Sequence, residues 1–433
     1  MQRPQLAEFM RRMGPDTVAV IPAAREVMRS NDTEYRFRQD SDFYYLTGFN
    51  EPDAVAVVAP SRDERLTLFV RPRDRERETW TGRRAGVEGA RERFGADAAF
   101  PVEEFAEKLT ELLDGAHTLY YRLGGDAEFD RTIIGRLARM RAMGWRKVRP
   151  PQTVTDPGVL LHEMRLVKTG DEIALMQRAA DIASEAHREA MRAARPGAKE
   201  YEIEALIEYV FRRSGAAGPA YNSIVGSGAN ATVLHYVSND AELRDGDLLL
   251  VDAGAEYAGF ASDITRTFPV NGRFGAAQRR LYQLVLDCQE ECIGMVAPGA
   301  DMEEMHARSV EILTEGMVGL GLLKGEVAKL VEEGEYKKFY MHRLSHYLGL
   351  DVHDAGAYHR DGEPRPLEPG MVLTVEPGLY VAEDAEDIPD EYRGLGVRIE
   401  DDVLVTPEGR RVLTDKAPKQ VEEIEELMGQ GRK

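Results

Sequence analysis

A chain of 433 residues is long for one core and points to two domains. Its 43% hydrophobic and 30% charged residues suit globular packing, and a formal charge of −20 argues against nucleic acid or an anionic membrane as partner. No run is apolar enough to span a bilayer, Met1-Gln2-Arg3-Pro4 opens no signal region, and the cysteines are only two, so the expected compartment is the reducing cytoplasm.

The first part alternates strand and helix patterns. Val18–Ile21, Ala54–Ala59, Leu66–Val70 and Thr118–Arg122 are short apolar runs. Between them Val102–Leu113 sets Phe105, Leu109 and Leu112 on one helical face, and Arg131–Met143 is similarly amphipathic. This predicts a mixed α/β domain over 1–165. Trp80, on an Arg-rich stretch, is expected to pack against its own domain in preference to a subunit contact. The Pro-rich segment Arg149 to Gly158 reads as a connector, and Thr169 or Asp171 as the cap of a helix opening the second domain, 166–433.

The second part predicts helices over Asp171–Arg192 and Tyr201–Arg213, then strands at Asn222–Val225, Asp247–Ala253 and Phe260–Phe268. Helices over Gly275–Val296 and Met302–Leu320 follow, then strands at Met371–Val375, Val397–Ile399 and Val403–Thr406. Helix, helix, strands, twice over, suggests two related halves. Cys288 and Cys292, four apart on one helix, read as small core residues, and Glu422–Glu426 as a solvated helix face.

Chemistry gathers in this second part. Asp252 ends an apolar run and Asp263 follows eleven residues later, with Tyr257-Ala258-Gly259 between them as a turn. That spacing predicts direct cross-strand neighbours in a tight hairpin. Two such carboxylates repel unless a cation lies between them; in another register one of them is simply solvated. His342, His346, His353 and His359 form a histidine cluster, but His342-Arg343-Leu344-Ser345-His346 lacks the glutamate of an H-E-x-x-H helix. His359 reads as surface, and His117, His162, His187 and His306 as structural. Glu376 and Glu400 each end an apolar strand; Asp401 and Asp402 beside the latter read as incidental neighbours. Carboxylates with one imidazole suit two divalent ions and hydrolytic chemistry.

In order and context these residues resemble the metal site of the pita-bread metallopeptidases. The matching strings are Val251-Asp252-Ala253-Gly254, Ser262-Asp263-Ile264-Thr265-Arg266-Thr267, Ser345-His346-Tyr347-Leu348-Gly349-Leu350-Asp351-Val352-His353-Asp354, Thr374-Val375-Glu376-Pro377-Gly378 and Gly396-Val397-Arg398-Ile399-Glu400-Asp401. Ser41-Asp42-Phe43-Tyr44-Tyr45-Leu46-Thr47-Gly48-Phe49 and Trp80-Thr81-Gly82-Arg83-Arg84 extend the likeness, over essentially the whole chain, to the aminopeptidase P family. The resemblance implies an α/β N-terminal domain and a C-terminal pita-bread domain of two pseudo-symmetric halves. It implies Asp252, Asp263, His346, Glu376 and Glu400 as ligands of two divalent ions, manganese first, with cobalt, iron or zinc as the other candidates. Glu376 would also be the general base, His353 would move the proton, and His235 would steady the carbonyl. His342, Tyr380 and Arg398 would line the substrate pocket.

The implied reaction is removal of an N-terminal residue from peptides whose second residue is proline, by a homo-oligomer (dimer or tetramer). Prolidase shares fold and ligands, and a non-catalytic pita-bread binding protein would be expected to have lost ligands. Methionine aminopeptidase lacks the large N-terminal domain, and creatinase-like enzymes lack the metal set.

Overall fold

The computed structural model describes residues 3–430; Met1 and Gln2, part of the stretch read for a signal region, lie outside the described residues. The chain falls into two compact units, 1–164 and 165–433.

The first unit is built on a six-stranded mixed sheet. Its central strand, Thr17–Pro22, pairs antiparallel with Val55–Val58 and parallel with Thr118–Tyr120. Val18, Val20, Val55 and Val57 alternate onto one face and meet the helices Phe105–Leu113 and Ala127–Met143. On the first helix the buried residues are Phe105, Leu109 and Leu113, an i, i+4, i+8 stripe that leaves Leu112, expected on that face, only half-buried. The second begins four residues earlier than its apolar pattern because Asp126 caps it, accepting from the backbone N–H groups of Glu128 and Phe129. The segment read as a connector holds the sixth strand, Thr153–Thr155, parallel to Thr118–Tyr120. Trp80 does not pack into its domain: it is 85% exposed on Arg75–Thr81, a short helix anchored by its Asp74 cap and by Glu78, whose carboxylate accepts from Arg73 at 3.0 Å, so the tryptophan is left facing solvent.

The second unit carries the helix, helix, strands plan twice. Helices Gly170–Ala193 and Glu200–Arg213 precede an antiparallel sheet in the order Ile224–Ser227, Leu248–Asp252, Thr265–Pro269. Thr169 starts the first helix through a capping box with Glu172. Helices Ala276–Met295 and Met302–Gly319 precede the second set: Val372–Val375 paired with Asp401–Thr406, and Gly378–Val381 paired with Leu395–Arg398. Cys288 and Cys292 are buried free thiols in this core. The C-terminal helix Val421–Gln430 buries Val421, Ile424, Leu427 and Met428 and turns Glu422, Glu423 and Glu426 to solvent.

The two sets of strands meet at one seam. The Glu400 N–H donates to the Thr265 carbonyl at 3.1 Å, and the Arg398 N–H to Thr267 Oγ1 at 3.2 Å. Arg266, wholly buried, ties the seam together: its guanidinium donates to the Glu400 carbonyl at 2.6 Å and to Asp401 Oδ1 at 2.7 Å, and it also reaches the carbonyls of Ala417 and Pro418. Lys419, Gln289 and Thr414 also donate to Asp401, at 2.9, 2.8 and 2.7 Å. Asp401 is therefore a structural anchor and not the incidental neighbour it seemed.

Burial opposes ionisation of Asp401, but Arg266 and Lys419 outweigh it and hold the carboxyl well below the usual range. A depressed folded value adds stability above the ordinary aspartate range near 4, and this is lost as pH falls through the folded value. Replacing Arg266 by Met should destabilise by roughly 3–5 kcal/mol, because a buried carboxylate loses a partner; chemical denaturation at pH 7 measures it, and an unchanged midpoint would contradict the anchor role.

Candidate metal centre

Asp252 and Asp263 do not face each other across the hairpin. The register places Asp252 opposite Thr265, and Asp263 falls two positions short of that partner. The turn is the two-residue loop Ala258-Gly259, both at positive φ (51° and 86°), closing the pair Tyr257 and Phe260. Strand pairing breaks between Ala261 and Thr265, where the Asp263 N–H donates to Asp402 Oδ2 at 3.1 Å. Gly254 permits that break: a Cβ there would lie 1.7 Å from the Ser262 carbonyl oxygen. The period of two still puts both aspartates on one face, now as diagonal neighbours. The expected single strand Phe260–Phe268 is thus two pieces.

The second pair is built the same way. His342 to His346 is not helical; Leu344–Leu348 lies antiparallel along Val372–Val375 and its flanks. Thr374 donates its N–H to the His346 carbonyl at 2.9 Å, and Glu376 donates to that of Leu344 at 2.9 Å. His346 is thereby opposite Thr374, and Glu376 is its diagonal neighbour, with Nε2 to Oε1 at 3.4 Å. In both pairs a threonine occupies the directly opposed position and bonds a glutamate. Thr265 Oγ1 donates to Glu400 Oε2 at 2.7 Å, and Thr374 Oγ1 to Glu376 Oε1 at 3.4 Å.

These groups converge on one cavity of about 910 Å³, lined by all five candidate ligands and by His235, His342, His353 and Arg398. Tyr380 stands just behind, its hydroxyl 2.9 Å from both His342 Nε2 and Arg398 Nη1. Arg398 also donates to Thr265 Oγ1 at 3.0 Å and to Asp252 Oδ2 at 2.5 Å.

The donor set fits a divalent cation. Donor atoms of Asp263, His346 and Glu400 lie within 4.8 Å of one another. His346 Nδ1 sits 3.0 Å from the Tyr347 carbonyl, which assigns it the proton and turns the Nε2 lone pair inward. Burial and neighbouring carboxylates raise Asp263 and Glu400 above the usual range, and burial with Asp263 and Asp252 brings Glu376 up to about 7. Burial pushes His346 down, yet the facing Asp263 and Glu376 outweigh it and lift the imidazole to about 9. Carboxylates crowded out of water and an imidazole drawn to positive charge mark a place that wants a cation.

Residues without a motif complete the site. Tyr221 places its hydroxyl 2.6 Å from Asp252 Oδ1 and 2.5 Å from Asp263 Oδ1. A phenol has one hydrogen, so it satisfies one carboxylate at a time. Asp402, taken from sequence as incidental, supports Asp263. His306 and His359, read as structural and as surface, both line the cavity. Only the histidine clustering offered a signal for His359, and nothing in the sequence marked Tyr221.

Comparison with known proteins agrees with this geometry. Residues 174–407 match the model of metallopeptidase family M24, and residues 3–120 that of the aminopeptidase P N-terminal domain. The chain is 48% identical to the Xaa-Pro aminopeptidase of Escherichia coli (strain K12), covering 98% of each, and 45% identical to that of Haemophilus influenzae, covering 96% of this chain and 94% of that one. It superposes on an aminopeptidase of Pseudomonas aeruginosa with a TM-score of 0.97 at 47% identity, covering 99% of this chain and 97% of the other. A zinc-substituted E. coli aminopeptidase P in complex with product gives 0.95 at 47% identity, covering 100% of both. Fold and site define a metallopeptidase. The chain belongs to family M24, in its aminopeptidase P group, and its second unit has the pita-bread fold of two pseudo-symmetric halves behind a smaller α/β domain.

Manganese at about 100 times its dissociation constant should stabilise the protein by about 2.7 kcal/mol. Thermal unfolding reads this as a rise in midpoint, which Asp263→Asn should abolish.

Proposed function

We propose that this chain is a two-metal Xaa-Pro aminopeptidase, hydrolysing the bond between an N-terminal residue and a following proline. The observation that carries the reading is the convergence of Asp252, Asp263, His346, Glu376 and Glu400 on one cavity, in a chain similar from end to end to proteins named for that activity. Asp252, Asp263, His346, Glu376 and Glu400 would hold two divalent ions, with Asp263 and Glu400 as bridges. Manganese is our proposed native metal. When bound, the ions supply Lewis-acid polarisation of the scissile carbonyl and make water a nucleophile at neutral pH.

The chain's own residues do the rest. Glu376, at the strand end facing His346, takes the proton from the attacking water. His235, exposed on the loop after Gly228–Thr232, hydrogen-bonds the carbonyl as negative charge grows on its oxygen. His353, beside His346 at 4.4 Å between ring centroids, relays the proton taken by Glu376 to the departing proline nitrogen. Proline lacks an N–H, so selection rests on ring shape, and the wall formed by His342, Tyr380 and Arg398 is fixed by its mutual hydrogen bonds. Burial drives His342 down to about 4, which keeps that wall uncharged at the histidine.

Cytoplasmic location and homo-oligomerisation belong to the same proposal. Among the described residues no helix is long and apolar enough to cross a membrane, and the exposed Trp80 offers apolar surface for a subunit contact.

Metal-stripped protein given Ala-Pro-Ala and Ala-Pro, with and without manganese, tests the activity. Metal-dependent cleavage favouring the tripeptide is expected; cleavage confined to the dipeptide would make the protein a prolidase, and turnover of neither would favour a binding protein. Asp263→Asn and Glu400→Gln should lose bound metal and activity together, read by elemental analysis beside the assay, and full activity in either would refute the bridged pair. His353→Ala should slow turnover about 100-fold or more with metal retained.

A further inference from the structure

His353 stands at the cavity with an exposed side chain that makes no hydrogen bond to any other described residue; its ring contact is the edge-on approach to His346 at 79°. Nothing grips the imidazole directly, so its place depends on the backbone that carries it. That backbone is the loop Tyr347 to Asp354. It is closed by the Asp354 N–H donating to the Tyr347 carbonyl at 2.9 Å, and braced by Gly349 N–H to the Asp351 carbonyl at 3.1 Å.

The residue after His353 is pinned from outside. Asp354 has a side chain 1% exposed, and both its oxygens are used. Arg165 Nη2 donates to Oδ1 at 2.6 Å, and Lys168 Nζ to Oδ2 at 2.9 Å. Arg165 Nη2 also reaches Asp351 Oδ2 at 2.5 Å, so one guanidinium clasps both acids that flank His353. Lys168 is itself fixed, its N–H donating at 2.9 Å to the carbonyl of Gly370, just ahead of the strand Val372–Val375 that leads into Glu376. The fit is close: a Cβ at Gly349 would fall 2.1 Å from Asp354 Oδ2 and 3.0 Å from Lys168 Cε. Burial opposes the Asp354 charge, but the two cations outweigh it and hold its carboxyl below the usual range.

We propose that Arg165 and Lys168, acting through Asp354, are positioning residues for His353: they lock the Tyr347–Asp354 loop to the strand bearing Glu376 and set the distance between the two proton-carrying groups. This rests on the reading of His353 as the group that protonates the leaving nitrogen. A misplacement of about 1 Å in such a group can cost about 100-fold in turnover.

The test uses the manganese-loaded full chain and Ala-Pro-Ala. Lys168→Met should lower kcat roughly 10- to 100-fold, with KM and bound metal unchanged, and Lys168→Arg should recover most of it. The deciding measurement is Lys168→Met combined with His353→Ala: the double variant should be no slower than His353→Ala alone, because the pin works only through that ring. Should Lys168→Met fail to fold, Asp351→Asn, at a half-exposed partner of Arg165, is combined with His353→Ala and read the same way. Losses that multiply, or a folded Lys168→Met with wild-type kcat, overturn the positioning role while the functional reading stands. A wild-type-like His353→Ala brings down the role of His353 and the pin together.

Discussion

Asp252, Asp263, Glu376 and Glu400 are drawn largely out of water around one cavity, and the organisation of the second unit follows from what that demands. In a medium of low dielectric such a cluster is unstable unless positive charge is supplied. Arg398 on Asp252 and the imidazole of His346 between Asp263 and Glu376 supply part of it. Burial and neighbouring acids still raise Glu376 and Glu400, and divalent cations would supply the remainder. The acids sit at the seam where strand ends from the two halves meet, Asp252 and Asp263 from the first half and Glu376 and Glu400 from the second.

The surroundings hold this cluster by ordinary sheet geometry. In both ligand pairs the directly opposed position goes to a threonine and the second ligand is displaced by two residues. Diagonal placement keeps the side chains on one face, and for Asp252 and Asp263 it avoids forcing like charges into the closest cross-strand contact. The threonine hydroxyl then orients a glutamate. Along Glu400-Asp401-Asp402 the strand period sends alternate residues in opposite directions. Glu400 faces the cavity and Asp402 supports Asp263 from the same side, while Asp401 turns away to Arg266 and Lys419. Three consecutive acids are thereby tolerated, because each has a separate partner.

Two kinds of support can be distinguished around the reacting groups. Glu376 and Glu400 are held by threonine hydroxyls on neighbouring strands, at 3.4 and 2.7 Å. His353 has no such hold and depends on a loop fastened by Arg165 and Lys168. His235, similarly exposed, sits on a loop facing the cavity. The rigid part of the site is the part that would carry metal, and the less restrained part is the part that would touch substrate, a division that lets peptides enter without disturbing the ligand cluster.

Much of this was legible before any coordinates. Apolar periodicity gave the helix, helix, strands repeat and most element positions, because burial imposes its period on local sequence. The proposed ligands were legible in part for a related reason: a charge ending an apolar strand is costly to bury, as at Asp252, Glu376 and Glu400, and the resemblance of the surrounding strings completed the set. Local sequence thus named the candidates. Tertiary structure alone decided how they meet. The register that sets Asp252 opposite Thr265, the bridging hydroxyl of Tyr221, the burial of Asp401 and Asp402, the exposure of Trp80 and the clasp of Arg165 and Lys168 on Asp354 all depend on partners dozens to hundreds of residues away. Pairings at that separation leave no period and no spacing in the local sequence, so only the folded chain reveals them.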